Sequence, residues 1–172
     1  MASIDEVSKV ISAISSGIVP QTENCMSRYS GTIRQAILEQ LYSGIDGKGN
    51  SLNPNYDNDP FFEQEGEWFH RSNDYKAWKN SITPPQSSPM LGLPPRSNST
   101  PNLFINGKFY SEIFTVMNGD TLEIRPGDGD GPDIVRKWGE DILNASPTAI
   151  EYFINEKLKP HLSDFIEKCG YR

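Results

Sequence analysis

Apolar residues recur through residues 1–43 with the period of an α-helix. Ile4, Val7, Ile11, Ile14 and Ile18 stand three or four positions apart and form one stripe. Gly17 and Pro20 interrupt it, because proline removes a backbone donor and disfavours helix at the residue before it. Met26, Tyr29, Ile33, Ile37 and Leu41 make a second stripe, with Thr22 placed as an N-cap and Glu23 in the first turn. Ser43-Gly44 supplies the stop. The pattern predicts two amphipathic helices, or one kinked helix.

Residues 44–101 lose this period. Eight of the 13 prolines fall between Pro54 and Pro101, among Asn, Ser and Gly. The same stretch carries seven of the 18 aromatics: Tyr56, Phe61, Phe62, Trp68, Phe69, Tyr75 and Trp78. Disordered segments are poor in such residues, so an ordered arm is expected. A short helix is predicted within 63–79, around Tyr75 and Trp78, and an extended polyproline-like connector over 84–101.

Residues 102–126 read as a β-hairpin region. Phe109, Ser111, Ile113, Thr115 and Met117 alternate with Tyr110, Glu112, Phe114 and Val116, which predicts a strand with both faces partly covered. Asn118-Gly119-Asp120 is a turn, and Leu122 and Ile124 share one face of the returning strand. Residues 127–145 hold an acidic loop, then a helical turn over Ile134–Trp138 closed by Gly139. Ser146-Pro147 opens a C-terminal helix over 146–172, with Ser as N-cap and Pro at the first position. Ile150, Phe153, Ile154, Leu158, Leu162, Phe165, Ile166 and Cys169 form its stripe, and Pro160 is expected to kink or split it. The fold class expected over 1–172 is a single α+β domain. N-terminal and C-terminal helices pack on a small, mostly antiparallel sheet, with a long Pro- and aromatic-rich arm.

Composition sharpens this picture. Hydrophobic residues make up 35% of the chain, below the roughly 45–50% apolar content of typical domains. Either much of the chain is loop or part of its burial comes from a partner. Lys and Arg number 16 against 23 Asp and Glu, for a net charge of −7. That balance argues against gripping a phosphate backbone, which needs clustered cations. No run approaches the ~18–20 apolar residues of a membrane span. A secretory signal is not expected either, because the basic head and unbroken apolar run are missing. Cys25 and Cys169, far apart in sequence, read as reduced thiols.

Candidate chemistry is sparse. Asp128, Asp130 and Asp133 could offer oxygens to a hard cation, but the sixth-position Gly and terminal Glu of an EF-hand loop are missing; a turn is the plainer reading. Asp46 to Asn50 places Lys48 where a third ligand would stand, which again favours a turn. Gly47-Lys48-Gly49-Asn50-Ser51 lacks the spacing of a phosphate loop and follows a helix rather than a strand. His70 and His161 lie in no motif. Cys25, beside Met26 on an apolar helix, behaves as a small hydrophobe rather than as a partner for His70. Glu63, Glu65 and Glu67 read as a solvated acidic run. No enzyme, cofactor or metal is expected. The aromatic arm has two readings. It is a satellite core folded over its own domain, or it docks on another chain through Phe61, Phe62, Trp68, Phe69, Tyr75 and Trp78. Low overall hydrophobicity beside concentrated aromatics tips the expectation towards an interface.

The order of these elements carries a family likeness. A helical segment ends in the turn Gly44-Ile-Asp-Gly-Lys-Gly-Asn-Ser-Leu52. A Pro-rich segment with Trp78-Lys79 follows, then Leu103-Phe-Ile-Asn-Gly107-Lys-Phe-Tyr-Ser-Glu-Ile113. This resembles the tailed-phage virion morphogenesis and tail-completion proteins of the head–tail junction. In that family a helical N-terminus precedes an x-Asp-Gly-x-x-Trp/Leu turn, and a Leu-x-x-x-Gly-x-Leu/Phe-x-x-Ser-Ile stretch leads into the sheet. Leu103, Gly107, Phe109, Ser111 (displaced by one) and Ile113 stand near those positions. Ile134-Val-Arg-Lys-Trp-Gly139 occupies the place of the family's later Tyr-Ala…His-x-x-Gly stretch. The arm is also similar to proteins from phages and prophages of Bacteroides-type bacteria, including ring proteins of crAss-like phages.

The resemblance implies a non-enzymatic virion subunit of the head–tail connector or tail ring, assembled in the host cytoplasm. It implies a homo-oligomeric ring with contacts to the portal and neighbouring tail or ring proteins, no membrane, and no sequence-specific nucleic acid, with DNA passing through the channel. A protein-binding or adaptor module of a bacterium is the other reading.

Overall fold

The structure, a computed structural model, describes residues 3–171. It is an α+β fold with helices at both ends and one antiparallel hairpin. Ser3 opens helix α1 (Ile4–Arg28) with a capping box. Its hydroxyl accepts from the Glu6 N–H at 3.2 Å, while the Glu6 carboxylate accepts from the Ser3 N–H at 2.7 Å. Helix α1 runs unbroken through Pro20, contrary to the predicted interruption, and Thr22 lies inside it instead of capping a second helix. The Thr22 hydroxyl donates to the Ile18 carbonyl at 2.8 Å. The break falls at Tyr29 (φ −107°, ψ 20°), after which α2 covers Ser30–Tyr42.

The C-terminal helix explains why Pro20 is tolerated. It comprises α6 (Pro147–Phe153), one π-helical segment (Ile154–Leu158) and α7 (Lys159–Lys168), with Pro160 at the start of α7, as the sequence predicts. A π segment absorbs the donor that proline lacks without ending the helix. Helix α7 lies antiparallel on α1. Phe165 presses on Gly17, Gly170 meets Val10, and His161 Nε2 lies 3.1 Å from Gln21 Oε1. These contacts fall on both sides of Pro20 and hold the helix together across it. Gly17 therefore serves close helix packing: a Cβ there would stand 2.3 Å from the Phe165 ring.

The main core forms on α2. Ile37 and Leu41 pack with Leu52, Phe109, Tyr110, Ile113, Ile142 and Leu143. Phe109 and Tyr110 belong to a short helix α4 (Lys108–Glu112), not to the long strand predicted from residue 109. A strand would send two successive side chains to opposite faces, whereas both of these rings are buried in the same core as Ile113. Strand β1 is confined to Phe114–Asn118 and pairs antiparallel with β2 (Thr121–Arg125), joined through Gly119 (φ 63°) and Asp120 as the sequence predicts. Helix α5 (Gly131–Trp138) follows and stops at Gly139.

The arm is held by side chains reaching over loop backbone. Buried Glu39 accepts from the N–H groups of Met90 (2.9 Å) and Leu91 (3.1 Å). Tyr42 donates to the Pro84 carbonyl at 3.1 Å, and Arg96 donates to those of Thr83 (2.6 Å) and Thr100 (2.9 Å). The connector over 84–101 is thus irregular and tethered, with a tight turn at Ser88–Leu93 in place of a continuous polyproline rod. Gly44, in the left-handed region at φ 69°, lets α2 end against the far side of the arm. A Cβ there would stand 2.3 Å from Thr100 Cγ2 and 2.9 Å from the Pro101 carbonyl oxygen. Gly44→Ala is expected to destabilise the protein by about 2–4 kcal/mol, combining left-handed strain with overpacking against backbone. Urea unfolding of both proteins checks this, and an unchanged midpoint would refute it.

Candidate interaction surface

The aromatic arm folds around Tyr75, which sits on helix α3 (Ser72–Ile82). Asp59 caps the turn Pro60–Glu63 by accepting from the Phe61 N–H at 2.9 Å, and the turn buries Phe62 while Phe61 keeps one side in solvent. Ring centroids of Trp68, Tyr56, Phe62, Trp78 and Phe61 lie 5.1, 5.2, 5.3, 5.3 and 6.3 Å from that of Tyr75. Most of the pairs are edge-to-face, each contributing about 0.5–1.5 kcal/mol beyond area burial. Phe69 stands apart, against His70, with centroids 3.9 Å apart. Lys137 of α5 bonds Asp59 at 2.6 Å and lies over the rings of Trp138 and Phe61, so it docks the cluster on the main domain. A cleft of about 240 Å³ remains between cluster and domain, walled by Tyr56, Phe61, Tyr75, Leu103, Ile134 and Trp138.

The six interface candidates thus divide by burial. Phe62 is 4% exposed and has no face free for a partner. Trp68 and Tyr75 are half-buried within the cluster. Phe61 and Phe69, each 42% exposed, and Trp78 keep part of their rings in solvent, and Ile82, one turn beyond Trp78 on α3, is exposed too.

A longer uncovered apolar stripe lies elsewhere, on α1. Ile4 is 88% exposed and Ile11 61%, with Val7 and Ile18 also exposed on the same stripe and Val19 on another face. Helix α7 covers the neighbouring face through Val10, Gly17 and Gln21, and leaves this stripe bare. Of the whole helix only Cys25 is buried. No residue from Val10 to Thr22 carries a charge. That run is the signal in the sequence for an unusual helix surface, since a solvated helix is normally laced with Glu and Lys.

The residues considered for chemistry are dispersed. Asp133 pairs with Arg136 at 2.9 Å and Asp130 with Lys108 at 3.6 Å. The Asp46 carboxylate accepts from the N–H groups of Lys48 and Asn50, closing a turn, and Lys48 bonds Asp141. Among the described residues, no three His, Cys, Asp or Glu side chains come together as a metal site. His70 faces Glu63 at 3.7 Å. Burial pushes the thiol of Cys25 up from its ordinary value, which opposes a thiolate nucleophile. Glu63, Glu65 and Glu67 are all exposed. Among the described residues no helix is long and apolar enough to cross a membrane.

Two buried cations behind the aromatic cluster escaped the sequence reading, because Lys and Arg are seldom buried. The Lys79 ammonium donates to the Phe104 carbonyl and to Thr83 Oγ1, and among the described residues no carboxylate pairs with it. Burial, reinforced by the nearby Arg96 charge, lowers its pKa from 10.5 to about 8. Burial raises the hydroxyls of Tyr56, Tyr75 and Tyr110 above their ordinary value. In the unfolded chain Lys79 holds its proton up to about pH 10.5, whereas the folded chain releases it near 8, so the unfolded state binds more protons between those values and stability rises with pH. The unfolded Cys25 thiol ionises before the buried one and offsets part of this rise above about pH 9, and above pH 10 the unfolded tyrosines ionise first and stability falls. Thermal unfolding should therefore show a maximum near pH 10, and Lys79→Met should abolish the rise; a wild-type curve flat from pH 8 to 10 would refute this.

Comparison with family models, with curated proteins and with solved structures gives no match, so no relative's function bears on this surface.

Proposed function

We propose that this chain is a structural virion protein of a tailed bacteriophage, a subunit of the head–tail connector or tail ring. The observation that carries the reading is the bare stripe of α1, Ile4, Val7, Ile11 and Ile18, on a helix that the rest of the chain covers along another face only. A folded chain that leaves an apolar stripe of this length in water has a surface suited to a partner. The exposed faces of Phe61 and Trp78 in the aromatic arm offer further apolar contacts, and head-to-tail use of two different surfaces closes a ring when the rotation suits. The order of sequence elements resembles that of the tail-completion proteins, and this likeness favours portal and tail or ring proteins as the partners. A net charge of −7 suits a ring wall that must let DNA pass without gripping it.

The test is to locate the chain in particles. Mass spectrometry of purified virions should find it in stoichiometric amounts, and gold-labelled antibody should mark the head–tail junction. Cells lacking it should accumulate DNA-filled heads without tails. Absence of the chain from purified particles would overturn the assignment.

A further inference from the structure

We propose that the cleft beside the aromatic cluster binds a small aromatic carboxylate, its ring between Tyr56, Phe61, Tyr75 and Trp138 and its carboxylate on the Lys79 ammonium. The site involves no residue of the α1 stripe and does not rest on the virion assignment. Lys79 is 1% exposed yet lines this cleft, so it forms the inner end and not the rim. An ammonium has three N–H groups, and this one has two acceptors, the Phe104 carbonyl and Thr83 Oγ1.

Donors outnumber acceptors around that inner end. Thr83 also accepts from Arg96, through its carbonyl at 2.6 Å, and the Phe104 N–H donates to Asn102 Oδ1 at 3.2 Å. Both side chains are thereby held beside Lys79. Arg96 Nε and Asn102 Nδ2 are buried donors without a partner. A buried donor lacking an acceptor is costly, and a buried charge lacking a counter-charge more so. A carboxylate brings what is missing, since it is anionic and its two oxygens only accept.

Charge and size select the occupant. Three charged side chains line the cleft, and two of them, Asp59 and Lys137, neutralise each other at 2.6 Å. The other Asp59 oxygen accepts the Phe61 N–H, so Asp59 has nothing left for Lys79, whose charge stays uncompensated. On a chain of net charge −7, this local positive excess singles out an anion. The other walls are largely rings, against which an incoming ring packs edge to face. A phosphate group would need a forked or clustered set of charged donors, and one ammonium among apolar walls is not that. The volume of about 240 Å³ lies below the roughly 300–1,000 Å³ of pockets that hold drug-sized molecules, so the cleft takes one ring on a short acid chain.

Titration of the intact chain with 3-phenylpropionate tests this, followed by calorimetry and by the nuclear magnetic resonance signal of the Trp138 indole N–H. The acid should bind and shift that signal. The amide 3-phenylpropanamide has the same shape without the charge and should bind about ten-fold more weakly, because the charge-assisted bond is lost. Phenethylamine, a cation of similar shape, should not bind. Lys79→Met, with its fold checked by circular dichroism, should bind acid and amide alike. A Trp138 signal unmoved by 3-phenylpropionate, or equal affinity of acid and amide for the native chain, would overturn the inference whatever the variant does. Tighter binding of the peptide Gly-Gly-Phe than of the free acid would also overturn it, by assigning the cleft to the end of another polypeptide.

Discussion

Glu39 and Gln40 are neighbours on α2 and both are buried, so each must find its hydrogen-bond partners inside the protein. Gln40 donates to the Asn144 carbonyl at 2.9 Å and accepts from the Ser146 N–H at 2.8 Å, which fixes the chain where the C-terminal helix begins. Glu39 holds the backbone of Met90 and Leu91. One turn earlier, Arg34 donates to the carbonyls of Ile113 (2.5 Å) and Tyr110 (2.8 Å), where α4 passes into β1. A buried polar group left unpaired costs about 1–3 kcal/mol, so these contacts hold the arm, hairpin and C-terminal helix to α2 alongside its apolar stripe. The hairpin alone, two strands of five residues, would be marginal in water.

Around this post the chain builds two apolar centres of different character. The main core is largely aliphatic and lies between α2, α4 and the Glu140–Leu143 turn. The arm supplies the second, a cluster of rings around Tyr75 that leans on the domain through Asp59 and Lys137. Lys79 and Arg96 sit behind the rings and donate to loop carbonyls. A segment rich in proline has few backbone donors with which to build its own ladders, and Arg96, within it, supplies side-chain donors to the Thr83 and Thr100 carbonyls at its two ends. Lys79 does the same for the Phe104 carbonyl just beyond it.

Period decided what was readable in advance. The Ile33, Ile37 and Leu41 part of the second stripe, the stripe of the C-terminal helix, the Ser146-Pro147 start, the Gly139 stop and the Gly119-Asp120 hairpin turn follow from local geometry and stand in the structure, whereas Met26 belongs to α1 and Tyr29 to the break. Gly17 and Pro20 misled because their local preferences are overridden by α7, which packs on both sides of the proline. Alternation misled at Phe109 and Tyr110, where two adjacent rings are drawn to one core. Of the candidate surface, the aromatic arm was visible in composition. Its division into buried Phe62 and exposed Phe61, Phe69 and Trp78 depends on how the turn at Asp59 aims each ring.

The stripe on α1 marks the boundary between the two kinds of information. Spacing alone dictated that Ile4, Val7, Ile11, Ile14 and Ile18 share a helix face, because 3.6 residues make a turn wherever the helix lies. Which face meets the rest of the chain depended on the approach of Phe165 to Gly17, where the missing side chain lets two helices come close. That contact turns Val10, Gly17 and Gln21 inward and leaves the isoleucines outside. Periodicity is a property of neighbours along the chain, whereas burial is a property of neighbours in space, and only the folded molecule specifies the second.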